Sequence, residues 1–241
     1  MRDWAEVMAP SSPHDPAPAV AAFDLDGTLT EGGSVVHWLS AVASRSVVRT
    51  SIARHGPALI AGAIRSGHAA DTAKESLFCS VLEGRDLADV AAVSEQFAEE
   101  HLRTTVRPEI AARLGAHLDA GHVVVLVSAS PSLYVTRIAA SMGAHGCAAT
   151  ELAVDAGGRL TGRYEGRNCR GTEKLRKVRA LLEELGAADT GEHRPLYAYG
   201  NSRGDLRLLS AADRPVDVSR LGRFGRLGRF PGLDAVAVSG A

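Results

Sequence analysis

Cysteine is scarce in this chain: Cys79, Cys147 and Cys169 are an odd number at wide spacing, with no CxxC pair and no histidine cluster beside them. That excludes a disulfide framework and a structural zinc site, and it fits a reducing compartment. Long apolar runs are also missing. Pro57 to Ile64 and Val123 to Val127 stop far short of the ~20 residues a membrane-crossing helix needs, so stable membrane insertion is not expected. Charge of one sign is lacking as well, with 27 Lys and Arg against 28 Asp and Glu and a net charge of -1. Nothing global therefore favours nucleic acid or an anionic membrane, and a charged partner must be recognised locally. The N-terminus lacks the apolar stretch of a secretion signal and is rich in Pro, Ser and Asp, so residues 1–18 read as a flexible leader of a cytoplasmic protein.

What is present suits a globular chain. Its 241 residues, 45% hydrophobic and 23% charged, can bury a core without metal or disulfide staples, as one large domain or a core with a modest second one. Ala19 to Leu25 is a short apolar run ending in two carboxylates, the pattern of a buried strand that delivers polar groups at its carboxyl end. Val123 to Val127 stops in the same way at Ser128, and Leu196 to Tyr199 stops at Gly200-Asn201. Arg214 to Val218 is a weaker strand whose Pro215 suggests a sheet edge. Helical patterns over Ser132 to Met142 and Thr172 to Leu185 lie between them. Such alternation predicts an α/β fold, Rossmann-like and doubly wound on a mostly parallel sheet.

From Glu31 to Arg107 the strand signal gives way to helices over Val35 to Ser44, Val47 to Arg65, Thr72 to Leu82 and Leu87 to Leu102. Gly32-Gly33 opens this block and Pro108 closes it. The division expected is a core of residues 19–30 and 108–218, a helical cap of 31–107, and an Arg- and Gly-rich segment of 219–241. Glu151 to Tyr164 carries Asp155-Ala156-Gly157-Gly158 at its middle and reads as a hairpin. In the tail, Arg220, Arg223, Arg226 and Arg229 read as a solvated segment without an interleaved aromatic platform for bases, and Phe224 and Phe230 as side chains tucked against the core.

Four elements carry chemistry. Asp24 and Asp26 flank one residue at a strand end where Gly27 turns the chain, so two carboxylates can converge: one to accept a group as nucleophile, the other to give and take a proton. Ser128, followed by two small residues, offers a hydroxyl and backbone N–H groups at a helix start to phosphate oxygens. Lys174, early in a helix, can offset clustered carboxylates. Asn201 and Asp205, four apart on a loop entering a helix, can aim oxygens at a hard cation.

The ordered set DLDGT, VLVSAS, Lys174 and GNSRGD resembles the four motifs of the haloacid dehalogenase superfamily of phosphohydrolases, over roughly residues 19 to 218. The 104 positions between Asp24 and Ser128 hold the helical insert, and only 46 separate Ser128 from Lys174. That arrangement is similar to the phosphoserine-phosphatase-like branch, as is the stretch Asn168 to Lys174. The resemblance implies a Mg2+-dependent phosphatase for a small phosphomonoester, working through an aspartyl-phosphate on Asp24. Asp26 would protonate the leaving alcohol and then activate water. Thr28, Ser128 and Lys174 would hold phosphoryl oxygens, and Asp24, Asp26 through its carbonyl, Asn201 and Asp205 would form the metal shell. One position departs from the pattern: the fourth motif usually opens with Asp, and Asn201 leaves the site one negative charge short.

Substrate identity then rests on residues 31–107, where His37, Trp38, Arg45 and Arg65 face the ordinary reading of core or surface residues. The position matching the acidic residue of phosphoserine enzymes is Gly33 rather than Glu31, which weakens phosphoserine as the substrate. Phosphoserine phosphatase, lipid-phosphate phosphatase and phosphotransferase readings stay open, as does a non-catalytic module that holds a phosphorylated ligand.

Overall fold

Four wholly buried residues, Val20–Phe23, form β1 at the centre of a five-stranded parallel sheet. The structure is a computed structural model that describes residues 18–65, 68–187, 193–219 and 227–238. After β1 come four helices, α1 (Val35–Val42), α2 (Arg45–Arg65), α3 (His68–Leu82) and α4 (Leu87–Thr105). The chain continues through α5 (Pro108–Asp119), β2 (Val123–Pro131), α6 (Ser132–Ser141) and β3 (Gly146–Thr150). A hairpin of β4 (Leu152–Val154) and β5 (Leu160–Tyr164) leads to α7 (Thr172–Glu184), β6 (Leu196–Gly200), α8 (Leu206–Ala211) and β7 (Arg214–Asp217).

The sheet order is β3-β2-β1-β6-β7. The chain therefore winds to one edge through β2 and β3, returns past β1, and winds to the other edge through β6 and β7. A crevice opens where the winding reverses, beyond the carboxyl ends of β2, β1 and β6. Both faces are apolar, as a buried parallel sheet requires. Ala21, Phe23, Val124, Leu126, Tyr197 and Tyr199 point one way, toward Ile110, Tyr134 and Ile138. Val20, Ala22, Val123, Val125, Val127 and Ala198 point the other way, toward Val178, Leu208 and Leu209. This is the doubly wound α/β fold the alternation predicts.

Three elements differ from expectation. The strand predicted to end at Ser128 runs on to Pro131, with a register shift against β3 between Val127 and Pro131. Ser128 thus sits in extended chain, and the residue before α6 is Pro131. β3, with the sequence GCAAT, has no β-branched run to announce it. Its small residues serve packing, since a Cβ on Gly146 would lie 3.0 Å from Leu181 Cδ1 of α7. Pro108 does not only close the helical block; it opens α5, where its missing N–H costs nothing.

The helical block joins the sheet layer by two strands of chain running side by side. Glu31 N–H donates to Thr105 O at 2.8 Å, and Arg107 N–H donates to Leu29 O at 2.9 Å. Trp38 is fully buried, donates its indole N–H to Ser94 at 2.8 Å, and packs against Phe78 and Tyr134. Trp38 belongs to the same apolar cluster as Phe23 and Leu126 and is a core residue, whereas His37 and Arg45 are exposed. The β4–β5 hairpin lies where expected and presses on α3 so closely that a Cβ on Gly162 would stand 2.4 Å from Cys79 Cα.

Beyond β7, Asp217 receives the Gly228 N–H at 3.0 Å, Arg113 donates to Leu233 O at 3.0 Å, and Phe230 packs on the second apolar cluster. Arg229 is exposed; Arg220, Arg223, Phe224 and Arg226, like residues 1–17, lie outside the described residues. All three cysteines are free thiols. No described helix is long and apolar enough to cross a membrane.

Candidate active site

The parallel register sets Phe23 beside Leu126 of β2 and Tyr199 of β6. Asp24, one residue further on, therefore emerges between Val127-Ser128 and Gly200-Asn201. Its N–H still donates to Tyr199 O at 3.0 Å, so the nucleophile candidate is held by the sheet itself. The chain then folds back tightly: Thr28 N–H and Thr30 N–H both reach Leu25 O, and Gly27 takes φ 80°. Leu25 and Leu29, both fully buried, anchor this turn in the core.

Asp24 is 6% exposed and receives two donors: the Thr28 hydroxyl at 2.9 Å on Oδ2 and the Lys174 ammonium at 2.7 Å on Oδ1. The Thr28 hydroxyl thus meets Asp24 rather than open space. Lys174, 2% exposed, also donates to Asp205 Oδ1 at 2.5 Å. The other oxygen of Asp205 accepts from Asn201 N at 3.3 Å, Ser202 N at 3.0 Å and the Ser202 hydroxyl at 2.8 Å. One ammonium therefore serves two buried carboxylates. Burial and the neighbouring charge of Asp205 push the Asp24 carboxyl up to about 7, although Lys174 pulls the other way. Burial alone would lower Lys174, but Asp205 and Asp24 outweigh it and hold the ammonium above its ordinary range.

Asp26 lies past the turn and is fixed from the other side. Its Oδ1 accepts the Ser34 N–H at 2.6 Å, and its Oδ2 accepts the Ser130 hydroxyl. The Ser34 hydroxyl contacts Tyr134 OH at 2.6 Å and Ser130 Oγ at 3.3 Å, and all three of these side chains are buried. Sequence reading missed this clamp, because Ser34 and Tyr134 look like an ordinary helix start and a core aromatic. Ser130 was visible only as one of the small residues after Ser128. Ser128 itself is 1% exposed and accepts the Ser130 N–H at 3.0 Å, an extended bulge rather than the helix start predicted.

The fit of a hard cation rests on Asn201. Its side-chain Oδ1 is buried and has no hydrogen-bond partner, a costly arrangement for an amide oxygen unless something binds there. No three His, Cys, Asp or Glu side chains converge as a metal site among the described residues. The available donors are mixed instead: the Asp24 carboxylate, the Asp26 carbonyl and the Asn201 amide, all oxygen and so suited to magnesium. Asp205 is saturated by Lys174 and its own loop, and would act on a cation through water. Gly27 leaves room for the amide, since a Cβ there would sit 2.0 Å from Asn201 Nδ2. Gly27→Ala should therefore lose about 1–2 kcal/mol from its left-handed backbone. If a hard cation binds at the Asn201 oxygen, displacing that side chain should also raise the cation concentration needed to stabilise the fold by about tenfold, roughly 1.4 kcal/mol of lost affinity. Thermal unfolding with a magnesium titration reads both effects.

The helical block contributes one further set. Asp71, Lys74 and Glu75 share a face of α3, a spacing that reads as solvated in sequence, yet all three dock on the sheet layer. Lys74 Nζ donates to Ala129 O at 2.7 Å, beside Ser128; Asp71 receives Asn168 Nδ2 at 2.6 Å; Glu75 receives Tyr164 N–H at 2.9 Å. Burial pulls Lys74 down to about 8, against the opposing charges of Asp26 and Asp71.

Comparison with known proteins gives the family and the fold. Residues 21–210 match the sequence profile of the haloacid dehalogenase-like hydrolases. The chain is 32% identical over 198 residues to protein CicA of Caulobacter vibrioides, covering 81% of this chain and 84% of that one. It is 29% identical over 221 residues to the phosphoserine phosphatase SerB1 of Mycobacterium tuberculosis, covering 90% and 70%. A solved protein of unknown function from Bordetella pertussis Tohama I superposes with a TM-score of 0.71 at 28% identity, covering 83% of this chain and 89% of that one. A phosphoserine phosphatase solved as an analogue of its phospho-aspartyl intermediate shares the fold, with a TM-score of 0.57 at 15% identity over 86% and 91% of the two chains.

Proposed function

Because the chain belongs to the haloacid dehalogenase-like hydrolases, we propose that it is a magnesium-dependent phosphatase that hydrolyses a small phosphomonoester through a phosphorylated Asp24. The observation that carries this reading is the buried ladder Thr28–Asp24–Lys174–Asp205, set beside an Asp26 clamped by Ser34 and Ser130. Nothing in the packing of the sheet requires three carboxylates and an ammonium at these strand ends. A nucleophile, a proton carrier and a counter-charge account for them.

In the first half-reaction an Asp24 oxygen bonds to phosphorus as the bond to the leaving alkoxide breaks, and Asp26 supplies the proton that the alcohol carries away. In the second, Asp26 takes a proton from water as the water oxygen attacks phosphorus and returns Asp24 as carboxylate. Thr28 and Lys174 fix the orientation of Asp24 through its two oxygens, Oδ2 and Oδ1. Ser128 and the backbone around it lie in the carboxyl-terminal part of the adjacent strand β2, where phosphoryl oxygens would be received. A magnesium ion held by Asp24, the Asp26 carbonyl and Asn201, with Asp205 behind, would offset the negative charge that otherwise repels a dianionic ester. Phosphoserine is the first compound to test, since one relative carries that activity in its name. A cytoplasmic setting belongs to the same proposal, in keeping with the three free thiols.

The test is phosphate release from a panel of monoesters by wild type, with magnesium and with chelator. Turnover should vanish in chelator and return with magnesium. Saturating magnesium, at about 100 times its dissociation constant, should stabilise the fold by about 2.7 kcal/mol. Activity unchanged by chelator, with no thermal shift, would refute the metal assignment. Transfer of phosphate to added alcohol rather than water would instead favour phosphotransferase chemistry.

A further inference from the structure

A cleft of about 910 Å3 lies beside the candidate site, between α3, the first turn of α7 with the loop before it, and the loop that leads to Asp205. Arg167, Arg170, Arg203 and Arg207 line it. Three acids share its wall, and each is already engaged. Asp71 receives Asn168, Glu75 receives the Tyr164 N–H, and Glu173 accepts two N–H groups of Arg176, at 2.9 and 2.6 Å. The guanidiniums are far less committed. Arg170 stands 3.9 Å from Asp71, and Arg203 and Arg207 are exposed and form no ion pair with any described residue.

The cleft is walled by the chain neighbours of site residues, Glu173 before Lys174 and Gly204 before Asp205. Gly171 N–H donates to Gly204 O at 2.8 Å, stitching the two loops together, and the stem of Arg170 packs over Gly204, one residue before Asp205. Asp71, 3.9 Å from Arg170, lies one helical turn before Lys74 on α3, and Lys74 donates to Ala129 O beside Ser128 at 2.7 Å. Positive charge therefore runs from the site past Lys74 and Arg170 into the cleft. An ester whose phosphoryl group meets Asp24 and whose leaving oxygen meets Asp26 would extend its remaining part along this path. We propose that the cleft binds a second phosphate group carried by the leaving group, so that the preferred substrates are bisphosphorylated small molecules. Guanidiniums suit that task, because their planar donors pair with phosphate oxygens two at a time.

This inference rests on the phosphatase reading and deepens it. The test compares glucose 6-phosphate, 6-phosphogluconate and glucose 1,6-bisphosphate, with para-nitrophenyl phosphate as a substrate that has no second anion. Wild type should prefer the bisphosphate by at least tenfold in kcat/KM over glucose 6-phosphate. The double variant Arg203→Ala with Arg207→Ala should lose that preference through KM, with kcat and para-nitrophenyl phosphate hydrolysis unchanged. Equal rates on bisphosphate and monophosphate, or an equal loss on every substrate in the double variant, would overturn the proposal. So would an equal preference for 6-phosphogluconate, which would assign the cleft to carboxylates. Absence of Asp24-dependent hydrolysis of every ester, para-nitrophenyl phosphate included, would instead sink the phosphatase reading and this inference with it.

Discussion

Asp24→Asn should reduce kcat by about 10^4-fold or more, the scale seen when a nucleophile is removed, while making the metal-free protein more stable. The two effects have one cause. Asp24 is buried beside Asp205, and a single ammonium must serve both, so in the metal-free fold its carboxyl is pushed up to about 7 from an ordinary 3.8. A carboxyl whose folded value is raised binds its proton more tightly folded than unfolded. Between about pH 4 and pH 7 the native state therefore holds more protons, and stability falls as pH rises through that window. An amide is neutral at every pH and leaves Lys174 paired one to one with Asp205. The variant should gain on the order of 2 kcal/mol at pH 8, or a rise of about 5 °C in melting temperature, and little at pH 4. Calorimetry in chelator at the two pH values separates them. A variant less stable than wild type at pH 8 would mean that the Asp24–Lys174 contact outweighs the carboxylate repulsion.

Lys174→Met should have the largest destabilising effect of any single substitution at the site. Lys174 is 2% exposed, and its partners Asp24 and Asp205 are 6% and 1% exposed. Removing the ammonium leaves two carboxylates in one buried place with no counter-charge, a loss of about 3–5 kcal/mol for breaking a buried pair from one side. Methionine keeps most of the stem volume, so the loss reports charge rather than a cavity. Adding Asp24→Asn to Lys174→Met should recover a large part of it, because the amide removes one of the two stranded charges. Urea unfolding of the single and double variants completes the cycle. No recovery in the double variant would show that Lys174 stabilises through packing and not through these pairs.

Much of this architecture was legible in the chain. Short β-branched or small-residue runs ending in DLDGT, VSAS and GNSRGD mark buried parallel strands, since only a strand covered on both faces is apolar at every position. The helical character of residues 35–105 was legible for a comparable reason, because strand patterning fails over the whole stretch. β3 and α5 were not. The former is a strand only because β2 offers an unpaired edge and α7 demands small residues over it, and the latter hides behind a proline that reads as a stop.

The sequence by itself determined which residue types follow which strands, because strand length, turn glycines and covalent order place Asp24 and Asp26 after β1 and Asn201 and Asp205 after β6. Tertiary structure alone decided their partners. Thr28 turns to Asp24, Lys174 crosses 150 positions of sequence to the same carboxylate, and Ser34 at the start of α1 and Ser130 of β2 close on Asp26, with Tyr134 of α6 against Ser34. Hydrogen bonds and ion pairs depend on distances of a few ångströms between segments far apart in the chain. Local patterning, which records only neighbours along the backbone, holds no information about them.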